Sequence, residues 1–108
     1  MPGRIDSLLS MLTRGQDSAL LRFSLGNEYL GEEDYSLASE HLRHAVQLEP
    51  DYSAAWKLLG KALSGHGSIA EAIDAYQQGI KAAEDNGDRQ AAREMAVFLR
   101  RLEKGSGK

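Results

Sequence analysis

Glu40, His41 and His44 are the first side chains to weigh for chemistry, because Glu40 and His44 stand four apart. On a helix that spacing puts a carboxylate and an imidazole on one face, within reach of a single cation. No further ligand lies near them in sequence, and two donors rarely hold a metal. The expectation is a solvated helix surface and no metal site. His66, between Gly65 and Gly67, is a loop imidazole without a partner for proton transfer. Lys57 and Lys61, also four apart, place two ammonium groups one turn apart. They suit a carboxylate on a ligand, or simply water, as exposed lysines commonly do. The acidic run Glu28, Glu32, Glu33 and Asp34 reads as a helix end and its caps. Arg100, Arg101 and Lys104 favour the negative end of a helix. They would also attract an acidic partner or RNA, but no aromatic residues interleave with them for base stacking.

Composition excludes several function classes. The chain has 108 residues, enough for one modest core, and a formal net charge of −3 from 13 basic and 16 acidic residues. That balance carries no nucleic-acid footprint. There are no cysteines, so disulfides, thiolate metal sites and cysteine nucleophiles are all excluded. Gly-x-Ser-x-Gly, phosphate loops and dinucleotide fingerprints are missing, so no enzyme activity and no cofactor are expected. No apolar run approaches the roughly 20 residues of a membrane span. Residues 1–13 lack a long apolar segment of the secretory kind. Neither a membrane nor a nucleic acid is expected as partner, and the expected location is cytoplasmic.

The elements follow from helical spacing. Ile5, Leu8, Leu9 and Leu12 line one face of a short N-terminal helix, within a segment 1–16. A helix of this length does not hold alone in water, so its leucines must pack on something. Further helices are predicted over 18–30, 35–48, 52–64, 69–84 and 88–103. Asp17 or Ser18, Asp34, Asp51 and Ser68 are the expected N-caps. Gly15, Pro50, Gly65-His66-Gly67 and Asn86-Gly87 are the breaks. Residues 105–108 have linker composition and are expected to be disordered. No strand pattern competes, so the fold class is all-α.

Residues 19–52 align with residues 53–86 at an offset of 34. The identities are Leu25/Leu59, Gly26/Gly60, Gly31/Gly65, Ala38/Ala72 and Asp51/Asp85. A mid-helix glycine costs about 1 kcal/mol relative to alanine. Meeting it at the same place in both units points to close approach of a partner helix. Ala38 and Ala72 lie on the facing helix, with Tyr29, Leu42, Trp56, Leu63 and Tyr76 filling around them.

These residues resemble the tetratricopeptide repeat, whose pattern is W-x2-L-G-x2-Y, then Ala, an aromatic or leucine, a small residue and Pro over 34 residues. The second unit reads Trp56, Leu59, Gly60, Leu63, Ala72, Tyr76, Gly79; the first reads Leu25, Gly26, Tyr29, Ala38, Leu42, Ala45, Pro50. Arg22 stands at the first unit's Trp position and Glu84 at the second unit's Pro position. The resemblance implies a right-handed stack of antiparallel helix pairs in one domain, 17–104. It has repeats at 19–52 and 53–86 and a capping helix at 87–103.

The resemblance further implies a protein-binding scaffold whose concave groove is lined by the first helix of each repeat. Carried over, the lining is Leu20, Phe23, Asn27 and Leu30, then Ala54, Lys57, Lys61 and Ser64, then Ala91, Met95 and Phe98. Phe23, Asn27, Lys57, Lys61, Met95 and Phe98 are the candidate contacts for a peptide or helix of a partner. Some family members grip a C-terminal carboxylate with a clamp that needs a basic residue at Phe23 and asparagine at Leu58. Asn27 alone matches here, so that mode is not expected. Two alternatives stand beside the groove. The N-terminal helix could cover Phe23 and occupy the groove, with Met95 and Phe98 serving as core. Or the terminal helices could mediate self-assembly or membership of a complex, since two repeats fall short of the usual three.

Overall fold

A computed structural model, describing residues 3–106, consists of six α-helices. They are α1 (Arg4–Thr13), α2 (Ala19–Gly31), α3 (Tyr35–Leu48), α4 (Ser53–Gly65), α5 (Ile69–Asp85) and α6 (Arg89–Ser106). Each predicted helix is present within a few residues of its expected bounds. The end of the chain differs: Gly105 and Ser106 continue α6 rather than starting a disordered tail, and residues 107–108 lie outside the described residues. Among the described residues no helix is long and apolar enough to cross a membrane.

Caps fix where the helices begin. The hydroxyl of Ser18 accepts from the Leu21 amide at 3.1 Å, and the Asp34 carboxylate accepts from the Leu37 amide at 3.2 Å. Asp88 does the same for Ala91 at 3.0 Å, so α6 starts one residue later than predicted. Asp51 is not the cap of α4. Tyr52 holds that position without a side-chain bond, and Ser68 caps α5 by position only.

Helix α2 pairs with α3 and α4 with α5, while α6 packs against α5. The repeated glycines are where these pairs close. A Cβ on Gly60 would lie 2.6 Å from the ring of Tyr76, and one on Gly26 would collide with Leu42. Leu42 and Tyr76 are themselves one repeat apart, so a large residue at the same repeat position sits on the repeated glycine in both units. Gly79 repeats the device between pairs, where a Cβ would meet Met95 Sδ at 2.5 Å. Leu25, Leu42, Tyr76 and Met95 are the largest fully buried side chains; Leu42 belongs to one core cluster and Tyr76 and Met95 to a second, with Leu102 packed against both.

Glu33 has φ +59°, whereas Gly67, one repeat on, has φ +86°. The left-handed region costs an ordinary residue about 1 kcal/mol that glycine avoids. Glu33→Gly is therefore expected to raise stability by about 1 kcal/mol, read as an upward shift of the urea midpoint.

Arg22 solves the problem of a missing tryptophan differently. Its guanidinium binds both oxygens of Asp17, at 2.8 and 3.1 Å, and its third nitrogen lies 3.1 Å from His41 Nδ1. Arginine only donates, so Nδ1 accepts and the imidazole is neutral. The Tyr29 ring stacks on His41 at 5.6 Å. His41 is only 6% exposed, which corrects its expected place on a solvated surface; Glu40 and His44 are exposed. Burial first, and the Arg22 charge second, hold His41 below its ordinary pKa of 6.5. In the window between that folded value and 6.5 the unfolded chain binds more protons. Stability is thus expected to fall as pH drops below about 6.5, levelling off once the folded-state pKa is passed. Urea midpoints measured across that window show the slope, and His41→Gln, which keeps an acceptor for Arg22, removes it.

Candidate functional site

Three helices build one face. The backbones of α2 and α4, and of α4 and α6, approach closely, whereas those of α3 and α5 stay apart and are bridged by the long side chains of Arg43 and Glu71 at 2.7 Å. Helices in contact form the inside of a curve and helices held apart form its outside. The face of α2, α4 and α6 is therefore the concave one. Helix α1 touches α2 alone, so it extends the outer end of the stack and does not span the face. Arg4 ties it to Glu28 of α2 at 2.8 Å.

The six candidate contacts fall into different roles. Asn27 is exposed on α2. Phe23 is half-buried, and its ring stacks on Tyr52 at 5.0 Å, at the entry to α4. Lys57 is engaged, donating to Glu94 of α6 at 2.8 Å. This hydrogen bond, followed by that of Gln90, holds the Glu94 carboxyl below the ordinary carboxylate range. Lys61 rests over the ring of Phe98, 5.3 Å from its centroid. Met95 is a correction. It is wholly buried against Gly79 and Trp56, so it is core rather than a groove contact. Phe98 is half-buried, stacked on Tyr76 at 5.7 Å, with Arg101 on its ring at 5.9 Å.

Glu94 and Val97 escaped the sequence reading, and Arg101 was read there as a helix-end cation open to an acidic partner or RNA rather than as part of the groove. Glu94, Val97 and Arg101 recur at i, i+3 and i+7, one face of α6, and with Lys57 and Phe98 they line a shallow cavity of about 330 Å³. A second cavity, about 340 Å³, lies beside it between Ala54 and Asp88. The missed signal is a spacing: Lys57 meets Glu94 and Lys61 meets Phe98, each 37 residues on, which is one repeat plus one helical turn. Among the described residues no group of three acidic or imidazole side chains could hold a metal. These helices carry exposed apolar side chains at Leu20 (65% exposed) and Val97 (40% exposed), a polar one at Asn27 and cations at Lys61 and Arg101.

Known proteins agree with this architecture. The tetratricopeptide repeat family model matches residues 29–96. A TPR repeat-containing protein of Pseudomonas aeruginosa is 50% identical over 100 residues, spanning 93% of this chain and 95% of the relative. The solution structure of a Bordetella parapertussis protein is similar over 97% of this chain and 91% of its own, with 45% identity and a TM-score of 0.83. The crystal structure of a tetratricopeptide repeat domain from Salinibacter ruber covers 82% of this chain and 98% of its own, with 27% identity and a TM-score of 0.74.

Proposed function

We propose, because this chain belongs to the tetratricopeptide repeat family, that its concave face of α2, α4 and α6 binds a peptide or helix of a protein partner. The observation that carries this reading is the uncovered inner face. Leu20, Asn27 and Val97 stay exposed on helices that touch, and no other described helix crosses them. Small-molecule chemistry has no comparable support, since the cavities are shallow and lined by mixed surface side chains.

Binding residues in this reading are Phe23 with Tyr52 and Asn27 at one end, and Lys61 with Phe98 at the other. Lys57 contributes through its ion pair with Glu94, which joins the walls of the groove. Such half-exposed pairs are worth about 0–1 kcal/mol. Its role is therefore to fix the geometry more than the stability.

The test is a pair of folded variants. Leu20→Asp with Val97→Asp is expected to weaken capture of the partner at least tenfold, on the order of 1.4 kcal/mol. Gln47→Glu with Gln77→Glu, on the exposed α3 and α5 surfaces, is expected to leave capture unchanged. Loss with the second pair and not the first would move the interface to the convex face.

A second reading has one observation in its favour. No residue of α1 is fully buried, so Ile5, Leu8, Leu9 and Leu12 are only half-covered by α2. Self-assembly or complex formation through this helix would bury them. Sedimentation at several concentrations decides; a monomer at every concentration removes self-assembly.

A further inference from the structure

At the Phe98 end of the groove cations outnumber acids. Lys61 and Arg101 both rest on the Phe98 ring, at 5.3 and 5.9 Å. Among the described residues no ion pair joins either of them to a carboxylate. Glu94, the acid of the cavity that Phe98 and Arg101 line, is hydrogen-bonded to Lys57 at 2.8 Å and Gln90 at 3.4 Å, with Lys61 acting on it only as a weaker, through-space charge. With Lys57 neutralised in this way, the cavity and its rim hold a net positive charge.

We propose that this end of the groove docks an acidic–apolar segment of a protein partner. The side-chain carboxylate of an internal Asp or Glu binds Lys61 and Arg101, and an adjacent apolar side chain covers Val97. The inference rests on the groove reading above and adds the chemistry of its ligand.

Each part of the site supports this ligand. A cation on a ring is attracted by the quadrupole but keeps N–H bonds directed away from the ring, free to donate to an anion. Phe98 is itself held by its stack on buried Tyr76 at 5.7 Å, so the two cations lie on a fixed platform. Arg101 offers the planar fork that matches a carboxylate, and Lys61 adds a point charge. Val97, 40% exposed and lining the same cavity, is the apolar surface left to cover.

The position favours an internal carboxylate over a chain end. Lys61 lies inside α4 and Phe98 inside α6. A bound chain therefore has groove on both sides of the charge, toward Ala54 and Gln90 one way and toward Ser64 the other.

The test is selection of random peptides displayed through their C-termini, so that none has a free carboxyl end. Against the intact protein, the expected result is enrichment of Asp or Glu next to a large apolar residue. Lys61→Glu with Arg101→Glu is expected to weaken those peptides at least tenfold, on the order of 1.4 kcal/mol, and to select Lys or Arg at that position instead. Lys61→Gln with Arg101→Gln, which only removes charge, is expected to abolish the preference. Circular dichroism confirms folding of each variant. Selected peptides without an acid preference, or unaffected by both variants, overturn the inference. If such peptides are still lost with Leu20→Asp and Val97→Asp, the groove reading stands and this inference alone falls. Peptides that bind all variants equally, or no binders at all, overturn both. An acid preference found only with free C-termini overturns the internal position.

Discussion

Tyr76→Ala is expected to lower the unfolding free energy by about 4 kcal/mol, and Gly60→Ala by about 2 kcal/mol. The two together are expected to be more stable than Tyr76→Ala alone by about 1 kcal/mol, the helix-propensity gain of alanine over glycine. Tyr76 is 2% exposed, and its hydroxyl is pushed up to about 12 by burial, so removing the ring opens a cavity in the core. A methyl on Gly60 meets that ring at 2.6 Å, and the ring cannot retreat because Phe98 stacks against it. Once the ring is gone, the methyl enters the space it leaves. Urea unfolding of the four proteins, followed by Trp56 fluorescence, gives the coupling directly. Additive effects would mean that Gly60 is not there for Tyr76.

Met95→Ala is expected to cost about 3 kcal/mol. The side chain is wholly buried and fills the contact between Gly79, Trp56 and α6. Without it the capping helix loses its anchor to the second repeat. The consequence for binding is the opposite of what the sequence suggested. Peptide affinity of the folded fraction is expected to stay within about twofold, because affinity follows contacts the ligand makes, and Met95 offers none. A large affinity loss measured well below the unfolding transition would return Met95 to the groove.

The repeat was legible because its packing is written in small residues. Gly26 and Gly60 announce close approach, and Leu42 and Tyr76 are the side chains that approach them. Helix boundaries were legible where a cap bonds, as at Ser18 and Asp34, and less so at α4, which starts without one. The groove was legible by helix but not by residue. Met95 and Phe98 both lie on α6, yet a rotation about the helix axis separates a buried thioether from a half-exposed ring. Single-helix spacing cannot show which side a neighbouring repeat will cover. The ion pair of Lys57 with Glu94 depends on the register between repeats, which is set by the packing of α4 on α6. His41 was misplaced for a related reason. Its burial follows from Arg22, a departure from the repeat pattern whose local solution no pattern encodes.

Binding through the concave face has a direct consequence for which surface positions lie beside the partner. Photo-crosslinking in the source cell tests it most directly, with p-benzoylphenylalanine placed at Asn27 of α2 or at Gln77 of α5, both exposed. A crosslinked partner is expected from position 27, lost in the Leu20→Asp/Val97→Asp background, and none from position 77. A partner crosslinked from position 77 and not from 27 would contradict it.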